Sequence, residues 1–193
     1  MIEIININAS ITLGILNLNE FASLHQLSAK RDIETQGKQF LIDSLFQKPT
    51  EINYDSNGKP YLANDSRHIS VSHSHDKLAV IINKDEVTGI DIELIRDKIT
   101  RIKHKFLSHT ELQEAGYTVE KLLIYWAAKE TLYKIYGLKE VDFIKHLAID
   151  AFTLDTKGNI NGHITINDLN VTYLLYYELL DEYVLVYSIC KTC

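Results

Sequence analysis

The sequence contains only two cysteines, and nothing near them completes a metal or redox site. Cys190 and Cys193 have the C-x-x-C spacing that can indicate a redox pair or half of a zinc site. A second pair of ligands is missing, and no strand-to-helix context follows them. We therefore expect Cys190 to be the last core-facing residue of a strand.

Long apolar runs and a net positive charge are also lacking. No segment approaches the roughly 20 apolar residues that a membrane-spanning helix needs, and the start Met1-Ile2-Glu3 lacks the basic residues of a signal peptide. The net charge of −6, from 20 Lys and Arg against 26 Asp and Glu, argues against general nucleic-acid binding. These features predict a cytoplasmic protein that binds neither nucleic acid nor a membrane.

Carboxylates in two separate segments are the most informative residues present. Asp91 and Glu93 lie two apart in a β-rich segment, so their side chains should leave the same face of a strand. Glu130 falls within a helical stripe of apolar residues, where an unpartnered carboxylate would be protonated, paired or metal-bound. The stripe consists of Val119, Leu122, Leu123, Trp126 and Tyr133.

Together the three carboxylates predict a site for Mg²⁺, which usually binds one or two carboxylates, waters and a substrate phosphate. Two simpler interpretations stay open. Water could solvate Asp91 and Glu93, and Glu130 could form an i, i+4 pair with Lys134, which is common and weakly stabilising.

The segments around these carboxylates resemble the two signature motifs of the 4′-phosphopantetheinyl transferases. The first is Gly89-Ile90-Asp91-Ile92-Glu93, and the second begins at Trp126-Ala127-Ala128-Lys129-Glu130 and continues through Lys134. Three more elements resemble the family in the same order: Asn57-Gly58-Lys59-Pro60, Val71-Ser72-His73-Ser74 and Phe106-Leu107-Ser108-His109-Thr110-Glu111.

The resemblance implies a reaction and an architecture. Enzymes of this family move the 4′-phosphopantetheine arm of coenzyme A to a serine of an acyl or peptidyl carrier protein, releasing adenosine 3′,5′-bisphosphate. At 193 residues the chain is similar to the surfactin-type members, which are single chains of two similar α+β halves that form a pseudo-dimer around coenzyme A. We therefore expect an α+β monomer with halves at residues 1–95 and 96–193.

The resemblance also implies roles for individual residues. Mg²⁺ would be held by Asp91, Glu93 and Glu130. Coenzyme A would be bound by Lys38, Lys59, Pro60, Ser72, His73 and Lys129. The catalytic residues would be Glu130, Lys134 and Glu111, where either Glu130 or Glu111 takes the serine proton. An alternative stays open for Lys38, because Lys30 and Arg31 lie nearby and all three residues could belong to a solvated helix face.

Two other classes of function compete with this enzyme. A non-catalytic module could keep the fold and bind a carrier protein or a nucleotide, but it would not need three carboxylates together with Lys129 and Lys134. A structural protein with a stabilising cation would enclose that cation with protein ligands. A serine hydrolase using Ser74 and its neighbouring histidines is disfavoured, because the G-x-S-x-G elbow is absent.

A basic run from Arg96 to Lys105 follows the carboxylate segment directly. It contains five Lys and Arg against Asp97 alone. Such a run is either a solvated helix face or a surface that attracts acidic partners. The sequence does not distinguish fatty-acid, polyketide and nonribosomal-peptide carriers as the partner.

The pattern of elements completes the prediction. We expect a helical region over Leu18–Phe46 with a kink or junction at Gly37, and a tight hairpin at Asn57-Gly58. We expect three strands at Ile69–Ser72, Leu78–Asn83 and Val87–Glu93 to form the sheet of the first half. A buried helix should run from Val119 to Tyr136 and end at Gly137, followed by up to four strands.

Overall fold

The computed structural model describes residues 1–192, and the chain divides into two compact units, Met1–Thr88 and Gly89–Cys193. Both units combine helices with antiparallel sheet, so the protein is of the α+β class. The expected similarity between two halves stays a prediction. Cys193, the second residue of the C-x-x-C pair, lies outside the described residues.

The first unit packs two helices on a four-stranded sheet. Its sheet has the order β1-β2-β6-β5, a separate two-stranded sheet is formed by β3 and β4, and Leu16, Leu41, Ile42 and Val80 lie in its core. The elements are β1 (Ile2–Asn6), β2 (Ile11–Asn17), α1 (Leu18–Leu24), α2 (Lys30–Phe46), β3 (Ile52–Tyr54), β4 (Pro60–Leu62), β5 (His68–Ser74) and β6 (Lys77–Asn83).

The helical region breaks earlier than the sequence predicted. The break falls at residues 25–29, where Gln26 has a positive φ of 54°, whereas Gly37 lies within α2 and produces no boundary. A Cβ atom on Gly37 would lie 2.7 Å from Leu18 Cδ2. Glycine is therefore present because α1 and α2 pack closely, and the predicted junction at Gly37 is wrong.

The turn between β3 and β4 is organised by Asp55. Its Oδ1 accepts hydrogen bonds from the backbone N–H groups of Asn57 at 2.8 Å and Lys59 at 2.9 Å. Gly58 supplies the positive φ of 87°. Pro60 begins β4, which pairs with β3 in a two-stranded sheet, so the proline lies at an edge, where its missing N–H group costs no ladder hydrogen bond.

The second unit packs a long helix on a five-stranded sheet. The sheet has the order β7-β11-β10-β9-β8. The elements are β7 (Ile90–Leu94), α3 (Ile99–Ile102) with a 3₁₀ turn at Lys103–Lys105, α4 (His109–Ala115), α5 (Val119–Tyr136), β8 (Leu147–Ile149), β9 (Lys157–Ile166), β10 (Leu169–Leu180) and β11 (Tyr183–Thr192).

The helix α5 has the predicted bounds. It ends at Gly137, whose φ of 71° gives the left-handed conformation that glycine adopts at no steric cost. The preceding helix α4 begins with a capping box, in which Ser108 Oγ accepts from Glu111 N and a Glu111 carboxylate oxygen accepts from Ser108 N. Ten of the residues of α5 are buried, which matches its apolar sequence.

The strand that carries Asp91 and Glu93 belongs to the second unit. The sequence predicted that it would join β5 and β6, but β7 pairs with β11 at the edge of the five-stranded sheet. Asp91 lies opposite Val186 and Glu93 opposite Val184. The expected assignment of this strand to the first sheet is therefore wrong, because its partner lies far away in the sequence.

Candidate functional site

A close approach between β7 and α5 brings the two carboxylate segments together. A Cβ atom on Gly89 would lie 2.3 Å from the backbone oxygen of Thr131, so no other residue fits there without moving the helix. Gly89 N also donates to Ser188 Oγ at 3.1 Å, which fixes the start of β7 against β11. The glycine of the first motif thus sets the distance between Asp91 and the helix that carries Glu130.

Asp91 is ion-paired to the same helix. Its side chain is 6% exposed, and Oδ1 accepts a hydrogen bond from Lys134 Nζ at 2.7 Å. Lys134 Nζ also donates to the backbone oxygen of Ile90 at 2.8 Å. Lys134 therefore bridges α5 to β7 and balances the charge of a buried carboxylate.

Glu93 is held by the tryptophan of the second motif. Trp126 Nε1 donates to Glu93 Oε1 at 3.0 Å. The indole contacts the ring of Phe106 edge-on, at a centroid distance of 5.0 Å, and stacks with the ring of Phe143 at 5.7 Å. Because these contacts restrict the indole, they also restrict the direction from which Glu93 is held.

The charges of the other two carboxylates affect the pKa of Glu130. Burial raises its pKa to about 7, the charge of Asp91 adds to this rise, Lys134 opposes it, and Glu93 contributes a smaller rise. The three carboxylates predicted from the sequence are thus electrostatically coupled in the structure. Glu130 can hold a proton near neutral pH, and a cation placed among the three would favour its ionised form.

The three carboxylates suit a cation that also binds water and phosphate better than a cation that is fully enclosed by protein ligands. Within residues 1–192, no group of three or more His, Cys, Asp or Glu side chains is arranged to hold a metal ion directly. Mg²⁺ does not need such a cage, because it keeps several waters and usually binds one or two carboxylates together with substrate phosphates. The oxygen donors of Asp91, Glu93 and Glu130 fit this mode of binding.

Lys129 and Glu111 have partners other than those expected. Lys129 is completely buried, and its Nζ donates to Glu111 Oε2 at 2.8 Å and to the backbone oxygens of Phe106 and Phe143 at 2.8 and 2.9 Å. Burial lowers the pKa of Lys129, and the bond to Glu111 opposes this. All three ammonium protons are used inside the protein, which does not support the expected contact with phosphate.

Both carboxylate oxygens of Glu111 also accept hydrogen bonds from within the protein. Its Oε1 accepts from Ile149 N at 3.0 Å, and its Oε2 accepts from Ser108 N and Lys129 Nζ at 2.8 Å each. The side chain is 5% exposed. Of the two carboxylates that the sequence offered as the proton acceptor, Glu130 is therefore better placed.

Two of the expected coenzyme A contacts, Lys59 and Pro60, line a small cavity of about 120 Å³ in the first unit. Burial lowers the pKa of Lys59, and the nearby carboxylate of Asp55 opposes this effect. Arg67 and His68 line the same cavity, and no sequence motif had pointed to either of them. Its volume is below that of a whole-cofactor pocket, so it suits one part of a ligand.

The other expected contacts of the first unit lie on α2 and β5. His73 is half-exposed, and its Nε2 lies 3.5 Å from Glu34 Oε1, which is also 3.7 Å from Lys30 Nζ. Lys38 follows Glu34 by one helical turn and donates to the hydroxyl of Tyr54. Ser72 precedes His73 on β5 and is buried. Basic side chains from α2 and β5 thus approach the carboxylate of Glu34.

Comparison with known proteins supports the assignment of the second unit. No helix in residues 1–192 is both long and apolar enough to cross a membrane. A search of curated proteins gave no match. The model of the 4′-phosphopantetheinyl transferase superfamily matches residues 88–188, which include β7, α5 and the carboxylates of Asp91, Glu93, Glu111 and Glu130. Since this match covers more than half of the 193 residues, the chain belongs to the 4′-phosphopantetheinyl transferase superfamily.

Proposed function

We propose that the chain transfers the 4′-phosphopantetheine group of coenzyme A to a serine of an apo acyl or peptidyl carrier protein, with adenosine 3′,5′-bisphosphate as the second product. The observation that carries the proposal is the coupled group Asp91, Glu93 and Glu130 with Lys134, which lies within the region matched by the family model. A module that only binds a carrier or a nucleotide has no need for this set.

The donor set fits Mg²⁺, which one or two of Asp91, Glu93 and Glu130 would bind directly, while waters would connect it to the remaining carboxylate oxygens. Carboxylate oxygens are the ligands that this cation prefers, and the raised pKa of Glu130 reflects negative charge that a cation would offset. Bound there, Mg²⁺ would neutralise negative charge on the diphosphate of coenzyme A and on the departing bisphosphate.

The residues of the chain would then orient the groups and accept a proton. The serine oxygen forms a bond to the β-phosphorus, the bond from that phosphorus to the bisphosphate breaks, and the serine proton passes to the carboxylate of Glu130. Lys134 keeps Asp91 in its orientation through the 2.7 Å bond, so that it need not reorganise during the reaction.

The first unit would contribute contacts to coenzyme A. Lys59 and Pro60 line a cavity of a size for one part of the ligand, and His73 and Lys38 would donate hydrogen bonds to phosphate in place of their present partners, Glu34 and Tyr54. Ser72 would add a contact from the same strand as His73. Lys129 is left out of this set because its ammonium group already binds three protein oxygens.

The decisive experiment incubates the protein with coenzyme A, Mg²⁺ and a panel of apo carrier proteins and measures the mass of each carrier. We expect one carrier class to gain the mass of one phosphopantetheine group. Asp91→Asn and Glu130→Gln should each lower the rate at least about 100-fold, since each removes a group that stabilises charge in the transition state. Glu120→Gln makes the same change in the first turn of α5 and should keep the wild-type rate.

Two results would contradict the proposal. Full activity in an excess of chelator would show that no divalent cation is needed. Coenzyme A binding without transfer to any carrier of the panel would instead identify a non-catalytic binding module, which is the competing function.

A further inference from the structure

The buried pair Lys129–Glu111 takes no part in the proposed reaction, yet it is the most completely bonded charged group near the site. Three oxygens accept from Lys129 Nζ at 2.8 to 2.9 Å, and the two oxygens of Glu111 accept two backbone N–H groups besides the lysine. A buried ion pair contributes little net stability compared with apolar residues of similar size. Stability alone therefore does not explain why this pair is present, and its effect on the geometry of the site has to be considered.

The bonds of Lys129 hold two segments that contact Trp126. Its ammonium group binds the backbone oxygens of Phe106 and Phe143, and the rings of the same two residues contact the indole. Trp126 in turn donates to Glu93 at 3.0 Å. A continuous set of contacts thus runs from the buried pair to one of the three carboxylates.

The same pair controls the helix that carries another carboxylate. Lys129 immediately precedes Glu130 on α5, so a fixed ammonium group on one side of the helix restricts its rotation. Glu111 connects that position to α4 and to Ile149 of β8. Lys134 gives α5 a second restraint, because its Nζ donates to the backbone oxygen of Ile90 in β7.

We propose that Lys129 and Glu111 are positioning residues that orient Glu93, through Trp126, and Glu130, through α5, without touching the substrate. The inference rests on the proposed function of the same site, and it gives both residues roles different from those that the family resemblance suggested. Neither is a catalytic residue in this scheme. Their removal should misplace the carboxylates while leaving the binding of coenzyme A intact.

The test uses the double variant Glu111→Gln/Lys129→Met, which removes both charges together and so leaves no buried charge without a partner. The amide that replaces the Glu111 carboxylate keeps an oxygen that can accept from Ile149 N. The matched control is Glu120→Gln/Lys121→Met, with the same two exchanges at the start of α5. Thermal unfolding monitored by circular dichroism establishes that both double variants are folded.

The first readout needs no activity, because Trp126 is the only tryptophan in the chain. In the ligand-free protein, the double variant should show a shifted emission maximum and greater quenching by acrylamide, whereas the control should match the wild type. Unchanged emission and quenching in the folded double variant would overturn the connection through Trp126. The fluorescence result does not depend on whether the wild type transfers phosphopantetheine. The transfer assay therefore tests the proposed function separately from the positioning role.

The second readout separates positioning from binding. With the active carrier, we expect kcat to fall about 100-fold, since misplacement of about 1 Å costs that much, while KM for coenzyme A changes little. A large rise in KM with kcat preserved would show that Lys129 contacts the ligand. Full activity in the folded double variant would show that the pair serves stability alone.

A single variant covers the case in which the double variant does not fold. Trp126→Phe keeps a ring beside Phe106 and Phe143 but removes the N–H that holds Glu93. It should remain folded and lose kcat with little change in KM for coenzyme A. Wild-type kcat in Trp126→Phe would overturn the proposed route from the pair to Glu93.

Discussion

Glu130 is the residue whose chemistry depends most on its neighbours. Its pKa rises to about 7 through burial and the charges of Asp91 and Glu93, with Lys134 opposing. A raised acid pKa means that the folded protein binds a proton that the unfolded chain releases. The carboxylate is therefore a source of instability at neutral pH in the metal-free protein, which is typical of groups that serve function rather than folding.

Protonation of Glu130 makes the free energy of unfolding depend on pH. The stabilising effect of protonated Glu130 is complete below its unfolded pKa of about 4.5 and is lost as the pH rises through about 7. In chelator, the free energy of unfolding should fall over this window by up to roughly 3 kcal/mol from this group. Glu130→Gln should remove that fall in urea unfolding measured at several pH values. An unchanged pH profile in the variant would show that Glu130 does not titrate in this range.

Lys59 provides a second prediction at the level of one residue. If it contacts the nucleotide end of coenzyme A, Lys59→Ala should weaken binding about 10- to 100-fold, which is typical of a hydrogen bond to a charged group. Binding of an analogue that lacks the adenosine half should change little. Calorimetry measures both affinities.

Lys84→Ala is the matched control for Lys59. Lys84 is an exposed lysine of the same unit whose Nζ donates to Ala9 O at 2.8 Å, and it does not line the cavity. Equal losses for coenzyme A and the truncated analogue in Lys59→Ala would mean that Lys59 supports the turn organised by Asp55 instead of the ligand.

Among the elements, the contact of β7 with α5 matters most for the site. Gly89→Ala would place a Cβ atom 2.3 Å from Thr131 O, and backbone cannot yield as a flexible side chain can. We expect a loss of about 1–3 kcal/mol in unfolding free energy and a larger loss of kcat, since α5 must move away from Asp91. Denaturant unfolding and transfer assays measure the two effects.

Gly162→Ala is the comparison for this contact. Its Cβ atom would lie 2.9 Å from Leu132 Cδ1 of the same helix, which is the movable end of a side chain. It should lose stability but retain most of its kcat. Equal losses of kcat in both variants would indicate general strain and not a specific displacement of the carboxylates.

The predictability of these elements depended on the range of their contacts. Helix α5 was predicted with correct bounds because its apolar pattern and Gly137 are local signals. The sheet of β7 was predicted wrongly because its partner β11 lies about ninety residues later, and strand alternation does not identify a partner. The motif also suggested phosphate for Lys129, since nothing local shows that three oxygens of the protein surround its Nζ.

At the scale of the whole molecule, charge is distributed unevenly. The net charge is −6, yet the run from Arg96 to Lys105 contains five basic side chains and one acidic one. Ile99 and Phe106 are buried and anchor this segment, while Lys98 and Arg101 are exposed. If the partner carrier is acidic, the general repulsion between two acidic proteins makes a local basic surface necessary for fast encounter.

Reversing Lys98 and Arg101 to Glu should therefore raise the apparent KM for the carrier, with little change in KM for coenzyme A. Because exposed charges act mainly on the association rate and are screened by salt, the variant should also lose much of the salt sensitivity of the wild type. Lys139→Glu/Lys157→Glu changes the net charge equally at exposed positions outside the run, and it should have a smaller effect. If Lys98→Glu/Arg101→Glu uses the carrier as well as the wild type at low ionic strength, the run is only a solvated face, and the carrier must dock on another surface.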